Sequence, residues 1–431
     1  MDAIINPLKK LEGFQKIIAA IKRQSAPILV NGVIDSQKVH LGYAIQKELN
    51  APALIVAASE LKAREIYEDM RLFLQENVMY YPSKDIIFYN ADLKSIEIET
   101  QRFSVVHALI QNKRPTIVLS VEALFDRLVP KDIFATFILK LEVGQDIAIN
   151  QLVQMLVYIG YERRELVEAV GQFAVRGGII DLFTAINRDA IRIEFWGDEI
   201  DSIRLLDSMS QRSIEKIDEI TIFPMRELVY TEEELSSAIK KMEIDYQQQV
   251  ALYHKAGLLD EAEKLRETTF EAIEKLKQSK SFSGVDKYIQ YFYEGTVTIL
   301  DYLSKDTILF FDEPAKIASH ADNVWFEFEE SIKNRIQKGY MLPKQMNMVY
   351  SYAEIIAKTS AFKTVFLANI AHSVKDFSVS AMIDIAVKSA TYHQNIEMKY
   401  DDLRYFKGKK YKIVVLAGVK SRAEQIGRAH V

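Results

Sequence analysis

Cysteine is absent from this sequence, which excludes disulfides, thiolate zinc sites and cysteine nucleophiles and makes a reducing cytoplasm the expected compartment. No apolar run approaches the roughly 18 residues of a membrane span. The opening MDAIINPLKKLEGFQ carries acid early and lacks an apolar signal-peptide core, so neither secretion nor membrane insertion is expected. Excess positive charge is lacking too: 55 Lys and Arg against 60 Asp and Glu leave a net charge of −5. That balance offers no overall basic footprint for nucleic acid, although a local patch remains compatible with it. Prolines number only 9 and 49% of the residues are apolar, the balance of a chain that folds.

The 431 residues exceed one ordinary core, and at least three domains are expected. From residue 28 short apolar runs alternate with amphipathic stretches, the pattern of βαβ units and a parallel sheet. Strands are expected at Ile28–Asn31, Ala53–Ala57 and Thr116–Ser120, with helices over Lys38–Leu49 and after a Ser59 cap. From Phe173 to Leu206 the pattern becomes strict alternation, with turn signals at Asn187–Asp189 and Gly197–Asp198, which predicts a small antiparallel domain. The charged stretch Glu232–Gln278 spaces acids and bases as a solvated helix or helical hairpin does. Thr307–Phe311 returns to α/β character, and a further α/β pattern runs from about Lys363 to Lys412–Ala417. The expected fold is therefore α/β: a helicase-like parallel-sheet domain (1–135 and 222–345), an inserted antiparallel α+β domain (136–221), and a second, incomplete α/β domain (346–425). The end, Ile426–Val431 (IGRAHV), reads as a translated sequencing adaptor rather than an ordinary polar helix end. On that reading the natural sequence continues past Gln425.

Gly32 to Val39 stand where a phosphate-binding loop would lie, between the first strand and the first helix. Such a loop needs glycine before its lysine, so that backbone N–H groups can close on phosphates, and a Ser or Thr after it to hold magnesium. Gln37 and Val39 occupy those places, which leaves Lys38 as a solvated side chain on a vestigial turn, or, on the alternative reading, part of a working nucleotide site. Asp312-Glu313 after an apolar strand is similar to the acidic pair of helicase-type ATPases. The sequence assigns it no partner, and a strand-end turn stopped by Pro314 is the reading favoured over a working acidic pair.

In Ile191–Trp196 alternation places Ile191, Ile193 and Phe195 on one face and Arg192, Glu194 and Trp196 on the other. Arg192 and Trp196 then stand roughly 13 Å apart on the outward face. Phe173 and Val175 point inward and Arg176 outward, but beyond Gly177-Gly178 the buried parity switches to Ile180 and Leu182. A glycine bulge is the expected cause. Arg176, Arg192 and Trp196 thus share a surface, with Asp181 near enough to steady an arginine. An exposed aromatic beside two arginines has the composition of an interface hot spot; solvated strand residues are the plain alternative.

Several segments together resemble one family, the transcription-repair coupling factors (Mfd), whose N-terminal module is similar to the excision-repair protein UvrB. They are Tyr81-Pro82-Ser83-Lys84-Asp85, Glu97 with Gln101-Arg102, Pro115–Leu124, Phe173–Phe183, Arg192–Arg204, Gln211-Arg212-Ser213 and Phe311–Pro314. The likeness covers about residues 10–345 and weakens beyond. It implies a helicase-like domain interrupted by a small domain that binds the damage sensor UvrA, with Arg176, Arg192 and Trp196 at the contacting positions. Phenylalanine is usual at the last; Trp196 keeps the apolar ring but enlarges it. The degenerate loop, and a Tyr81–Gln101 segment too short for UvrB's tyrosine-rich DNA-clamping hairpin, favour the coupling factor over a UvrB-like ATP-dependent helicase subunit.

The same resemblance implies further partners, RNA polymerase and double-stranded DNA, engaged by sequence beyond Gln425. It places ATP and magnesium with a translocase there as well. No cofactor, no metal and no catalytic residue is expected for this chain itself, which is expected to be a monomer that recruits UvrA. The UvrA surface is further expected to be masked in a resting full-length protein. A DNA-binding scaffold without UvrA is the third alternative, and it would need a basic groove.

Overall fold

The computed structural model describes residues 2–23, 27–84, 96–184, 189–207, 212–278, 284–370, 374, 377–385, 396–411 and 413. The hairpin-length argument between Tyr81 and Gln101, most of the Asn187–Asp189 turn, Gln211, the Lys412–Ala417 run and the adaptor-like end fall wholly or largely outside these residues.

Four strands come first: β1 (Ile28–Asn31), β2 (Ala53–Ala57), β3 (Val78–Tyr81) and β4 (Thr116–Ser120). The chain then leaves through β5 (Leu139–Glu142) and builds β6 (Glu162–Arg163), β7 (Gln172–Arg176), β8 (Ile179–Leu182), β9 (Ala190–Trp196), β10 (Glu199–Leu206) and β11 (Ser213–Ile217). It returns through β12 (Glu219–Ile222) and finishes the first layer with β13 (Ile308–Asp312), β14 (Lys363–Ala368) and β15 (Ala381–Asp384). The large sheet has the order β15-β1-β14-β13-β2-β4-β3, and every pairing in it is parallel.

Both faces of this sheet are covered, which is why its strands read as unbroken apolar runs. Alternation sorts each strand between two cores. Leu29, Leu54, Val56, Leu309 and Phe311 face one, whereas Ile28, Val30, Ile55, Ile308 and Phe310 face the other. The strands expected to open a further α/β domain beyond residue 346 belong instead to this sheet. β14 inserts between β1 and β13, and β15 pairs with the outer side of β1. Periodicity names a strand without naming its neighbour, so the sequence could not distinguish a new sheet from the completion of the old one.

Glu232–Gln278 resolves into a hairpin of two helices, Glu232–Ala256 and Leu259–Lys277, broken at Gly257 with φ +75°. The inserted sheet has the order β11-β10-β9-β8-β7-β6 and is antiparallel apart from the short β6–β7 pair. Its inner face packs on the helix Ile149–Tyr158 through Leu152, Leu156, Phe173, Ile180, Leu182, Ile191 and Ile193. β5 and β12, the outgoing and returning segments, pair with each other as a two-stranded stalk.

Charged side chains fix the root of that stalk. Arg102, 1% exposed, sets its guanidinium on Glu227 at 2.6 and 3.2 Å and donates to the Pro82 carbonyl and the Tyr81 hydroxyl, each at 2.6 Å. Lys84 joins Glu227 at 2.6 Å and Asp286 at 2.9 Å. Burial alone pushes the Glu227 carboxyl up, but Arg102 and Lys84 overcome it and hold it at about 2. Asp126 touches Arg102 at 2.8 Å out of hydrogen-bond alignment. For Asp126 burial outweighs the two cations and raises the carboxyl to about 6.

The two carboxylates therefore act with opposite signs on stability. Glu227 contributes stability that is present above its ordinary 4.5 and is lost as pH falls toward 2. Asp126 contributes stability present below its ordinary 3.8 and lost as pH rises through about 6. Urea unfolding of wild type and Asp126→Asn across pH 4 to 7 is expected to show wild type losing stability relative to the variant as pH rises; parallel curves would contradict the burial argument.

Candidate functional site

The outer face of the inserted sheet is built by two tight hairpins. β7 and β8 join through Gly177-Gly178, with Arg176 opposite Ile179, Val175 opposite Ile180 and Phe173 opposite Leu182, and no register shift. The parity switch expected from a bulge therefore comes from a two-residue turn, in which Gly177 adopts φ +60°. Residues 175 and 180 are odd and even yet lie directly opposite, as such a turn dictates. β9 and β10 join in the same way through Gly197-Asp198, with Gly197 at φ +63°. Register shifts in β10, between Ile200 and Ser202 against β9 and between Leu205 and Leu206 against β11.

Register aligns the outward residues in rows. Asp181, Arg192 and Arg204 stand side by side in one, and Arg176, Ile179, Glu194 and Ser202 in the next. Trp196 follows Glu194 by two residues at the end of β9. The Gly177-Gly178 turn lies against this end, because Phe195 N–H donates to the Gly178 carbonyl at 2.8 Å. Arg176 and Trp196 thus share the end of the sheet and the face, with Arg192 one row inward.

Arg192 is held rigidly. Its Nε and Nη2 donate to the two carboxylate oxygens of Asp181 at 2.7 and 2.8 Å, the bidentate geometry that fixes a guanidinium plane. The hydrogen bond and charge of Asp181 raise the Arg192 pKa despite partial burial. Arg176 is exposed and donates from Nη2 to the Glu165 carbonyl at 2.8 Å. Trp196 is 82% exposed, the most of any large apolar side chain among the described residues.

Covering about 150–200 Å² of that ring would release on the order of 4–5 kcal/mol before the costs of association. No intramolecular packing collects this energy. A second ion pair, missed in the sequence, lies beside the first: Arg204 meets Glu194 at 3.0 Å, and the Ser202 hydroxyl donates to the same carboxylate at 2.6 Å. Its signal was the i, i+2 spacing of Ser202 and Arg204 on the same outward parity.

At the carboxyl ends of the parallel strands the degenerate loop has become an internal clamp. Lys38, expected in solvent, is 8% exposed and reaches Asp312 at 2.6 Å and Glu313 at 2.5 Å. The acidic pair expected to lack a partner therefore has one, because β13 and the helix that follows β1, Asp35–Leu49, bring positions 38 and 312 together. Pro314 starts the helix Pro314–Gln337 rather than stopping a turn. The Gln37 side chain accepts from the Ile34 N–H at 3.4 Å, and Val39, 5% exposed, is turned into the core.

The residual cavity beside Lys38 measures about 20 Å³, room for about one water. These residues do not fit a nucleotide triphosphate with magnesium: the lysine is engaged, the capping position is filled and the metal-ligand position is apolar. Gly32 is needed for a different reason. It has φ +81°, and an added Cβ would lie 2.4 Å from the Ile385 carbonyl oxygen. Gly32→Ala is expected to cost about 1–3 kcal/mol and to speed hydrogen exchange at the Ile385 N–H, which donates to Asn31 O at 2.9 Å. Unchanged protection there would contradict this contact.

Comparison with known proteins places this geometry. The family described as UvrB interaction domain matches residues 139–228, the segment that holds the stalk and the inserted sheet. The transcription-repair-coupling factor of Bacillus subtilis (strain 168) is 27% identical over 99% of this chain and 36% of its own length. The UvrABC system protein B of Fervidobacterium nodosum is 30% identical over 80% of this chain and 53% of its own, and that of Thermosipho africanus is 30% identical over 77% and 53%. The chain spans about a third to a half of the length of these curated relatives. No helix among the described residues is long and apolar enough to cross a membrane. The chain is similar to a transcription-repair-coupling factor and to UvrB proteins, and its antiparallel insertion matches the family described as UvrB interaction domain.

Proposed function

We propose that this chain is a recruitment module of transcription-coupled repair, in which the outer face of the inserted domain docks UvrA through Arg176, Arg192 and Trp196. The observation that carries this reading is Trp196, an 82% exposed ring on the same outward face as an arginine already fixed on Asp181. An aromatic ring with few rotatable bonds and a pre-oriented guanidinium on one face lose little entropy on binding, which is how a few residues come to dominate an interface. The domain family and the names of the relatives point to UvrA as the partner and to excision repair at stalled transcription as the setting. RNA polymerase and double-stranded DNA belong to the same proposal as partners of the whole coupling factor, and its ATP-driven translocation is not assigned to these residues.

Titration of purified UvrA onto this chain tests the proposal: wild type is expected to bind, and the combined alanine variant at the three positions is expected not to. Retained binding by that variant would remove the site assignment. The UvrB-like helicase reading needs hydrolysis at Lys38. ATP turnover by the chain, lost on Lys38→Ala, would overturn the non-catalytic reading.

A further inference from the structure

The geometry points to a separate anion pocket at the amino-terminal edge of the parallel sheet, which binds a phosphate group through Lys113, Arg114 and Lys131. The cavity there measures about 280 Å³, just below the range of about 300–1,000 Å³ typical of small-ligand sites. It opens where β2, β4 and β13 begin, whereas the Lys38 clamp lies at the opposite, carboxyl ends of the same strands. Three cations and one carboxylate, Asp306, line it, an excess of two positive charges on a chain of net charge −5.

Lys131 is the centre of the argument. Its ammonium donates to the Leu109 carbonyl at 2.8 Å and to Asn112 Oδ1 at 3.4 Å, and among the described residues no carboxylate pairs with it. Burial pushes its pKa down with nothing to offset the loss of hydration, and an oxyanion in the cavity would supply the missing countercharge. Arg114 holds Asp306 and the Asn50 carbonyl through a single nitrogen, Nη2. Among the described residues nothing accepts from its Nε or Nη1, which leaves these donors for a ligand, since a guanidinium carries five N–H groups. The hydroxyls of Ser304 and Thr307, 3.1 Å apart, complete the polar wall.

A lysine point charge, an arginine fork and two hydroxyls match the several acceptor oxygens of a phosphate better than a single carboxylate. The volume suits a phosphorylated small molecule or the terminal phosphate of a nucleic-acid strand and is too small for a duplex. Calorimetric titration with pyrophosphate at low salt is expected to show binding that falls at least tenfold in Lys131→Gln. Lys113→Gln, at an exposed position that folding does not depend on, is expected to weaken binding severalfold at an unchanged melting temperature. Asp306→Asn is expected to bind at least as tightly as wild type.

Oligonucleotides with and without a 5′-phosphate separate the two sources. A preference for the phosphorylated strand assigns the pocket to strand ends, and equal affinity assigns it to small phosphorylated ligands. Absence of pyrophosphate binding, or wild-type affinity in both lysine variants, would overturn the inference.

Discussion

Lys38→Met is expected to lower the unfolding free energy of the parallel-sheet domain by about 3–5 kcal/mol, the cost of removing one partner from a buried ion pair. The substitution strands two carboxylates, since Asp312 and Glu313 have side chains only 6% and 16% exposed. Glu313 also accepts from the Asn369 N–H at 2.9 Å, so the same ion pairs tie the helix Asp35–Leu49 to the ends of β13 and β14. Adding Asp312→Asn and Glu313→Gln to Lys38→Met is expected to recover part of the loss, because neutral amides cost less to bury than unpaired charges. Urea unfolding followed by circular dichroism measures both. A loss below about 1 kcal/mol in the single variant would mean that solvent reaches these carboxylates freely. The functional consequence is direct: a lysine that must abandon two ion pairs before touching a phosphate is a poor nucleotide ligand.

How much of this was legible in the sequence depends on whether the signal was local. β1, β2 and β4 were visible as apolar runs because both faces of a parallel sheet are buried, and the Ser59 cap was visible because its hydroxyl accepts from the Lys62 N–H three residues on. Outward parity in β9 was equally local, and Asp181 was placed beside an arginine correctly. Failures came where the deciding partner was distant in the chain. Lys38 and Asp312 are 274 residues apart, and nothing in either motif announces that one neutralises the other. β14 reads as a strand from its own residues, but its place between β1 and β13 is a property of topology. The Gly177-Gly178 turn was misread as a bulge because both devices change buried parity, and only cross-strand register tells them apart.

Trp196→Ala is expected to weaken UvrA binding by at least about 2 kcal/mol, roughly 30-fold, the scale of a central hot spot, with no change in melting temperature. The two readouts separate because an 82% exposed side chain contributes little to folding and much to a surface that is later covered. Arg176→Ala is expected to act in the same direction with a smaller effect, since the side chain is exposed and, among the described residues, its hydrogen bond is to a backbone carbonyl. Arg192→Ala behaves differently. Asp181 is 7% exposed, so removing its arginine leaves a buried carboxylate without its fork, and a stability loss of about 1–3 kcal/mol accompanies the loss of binding. Arg192→Lys keeps the charge but not the bidentate plane. Weak binding by this variant at near-normal stability would indicate that the partner reads guanidinium geometry rather than charge. Binding of Trp196→Ala within about twofold of wild type would remove the ring from the interface and, with it, the main physical reason for placing UvrA on this face.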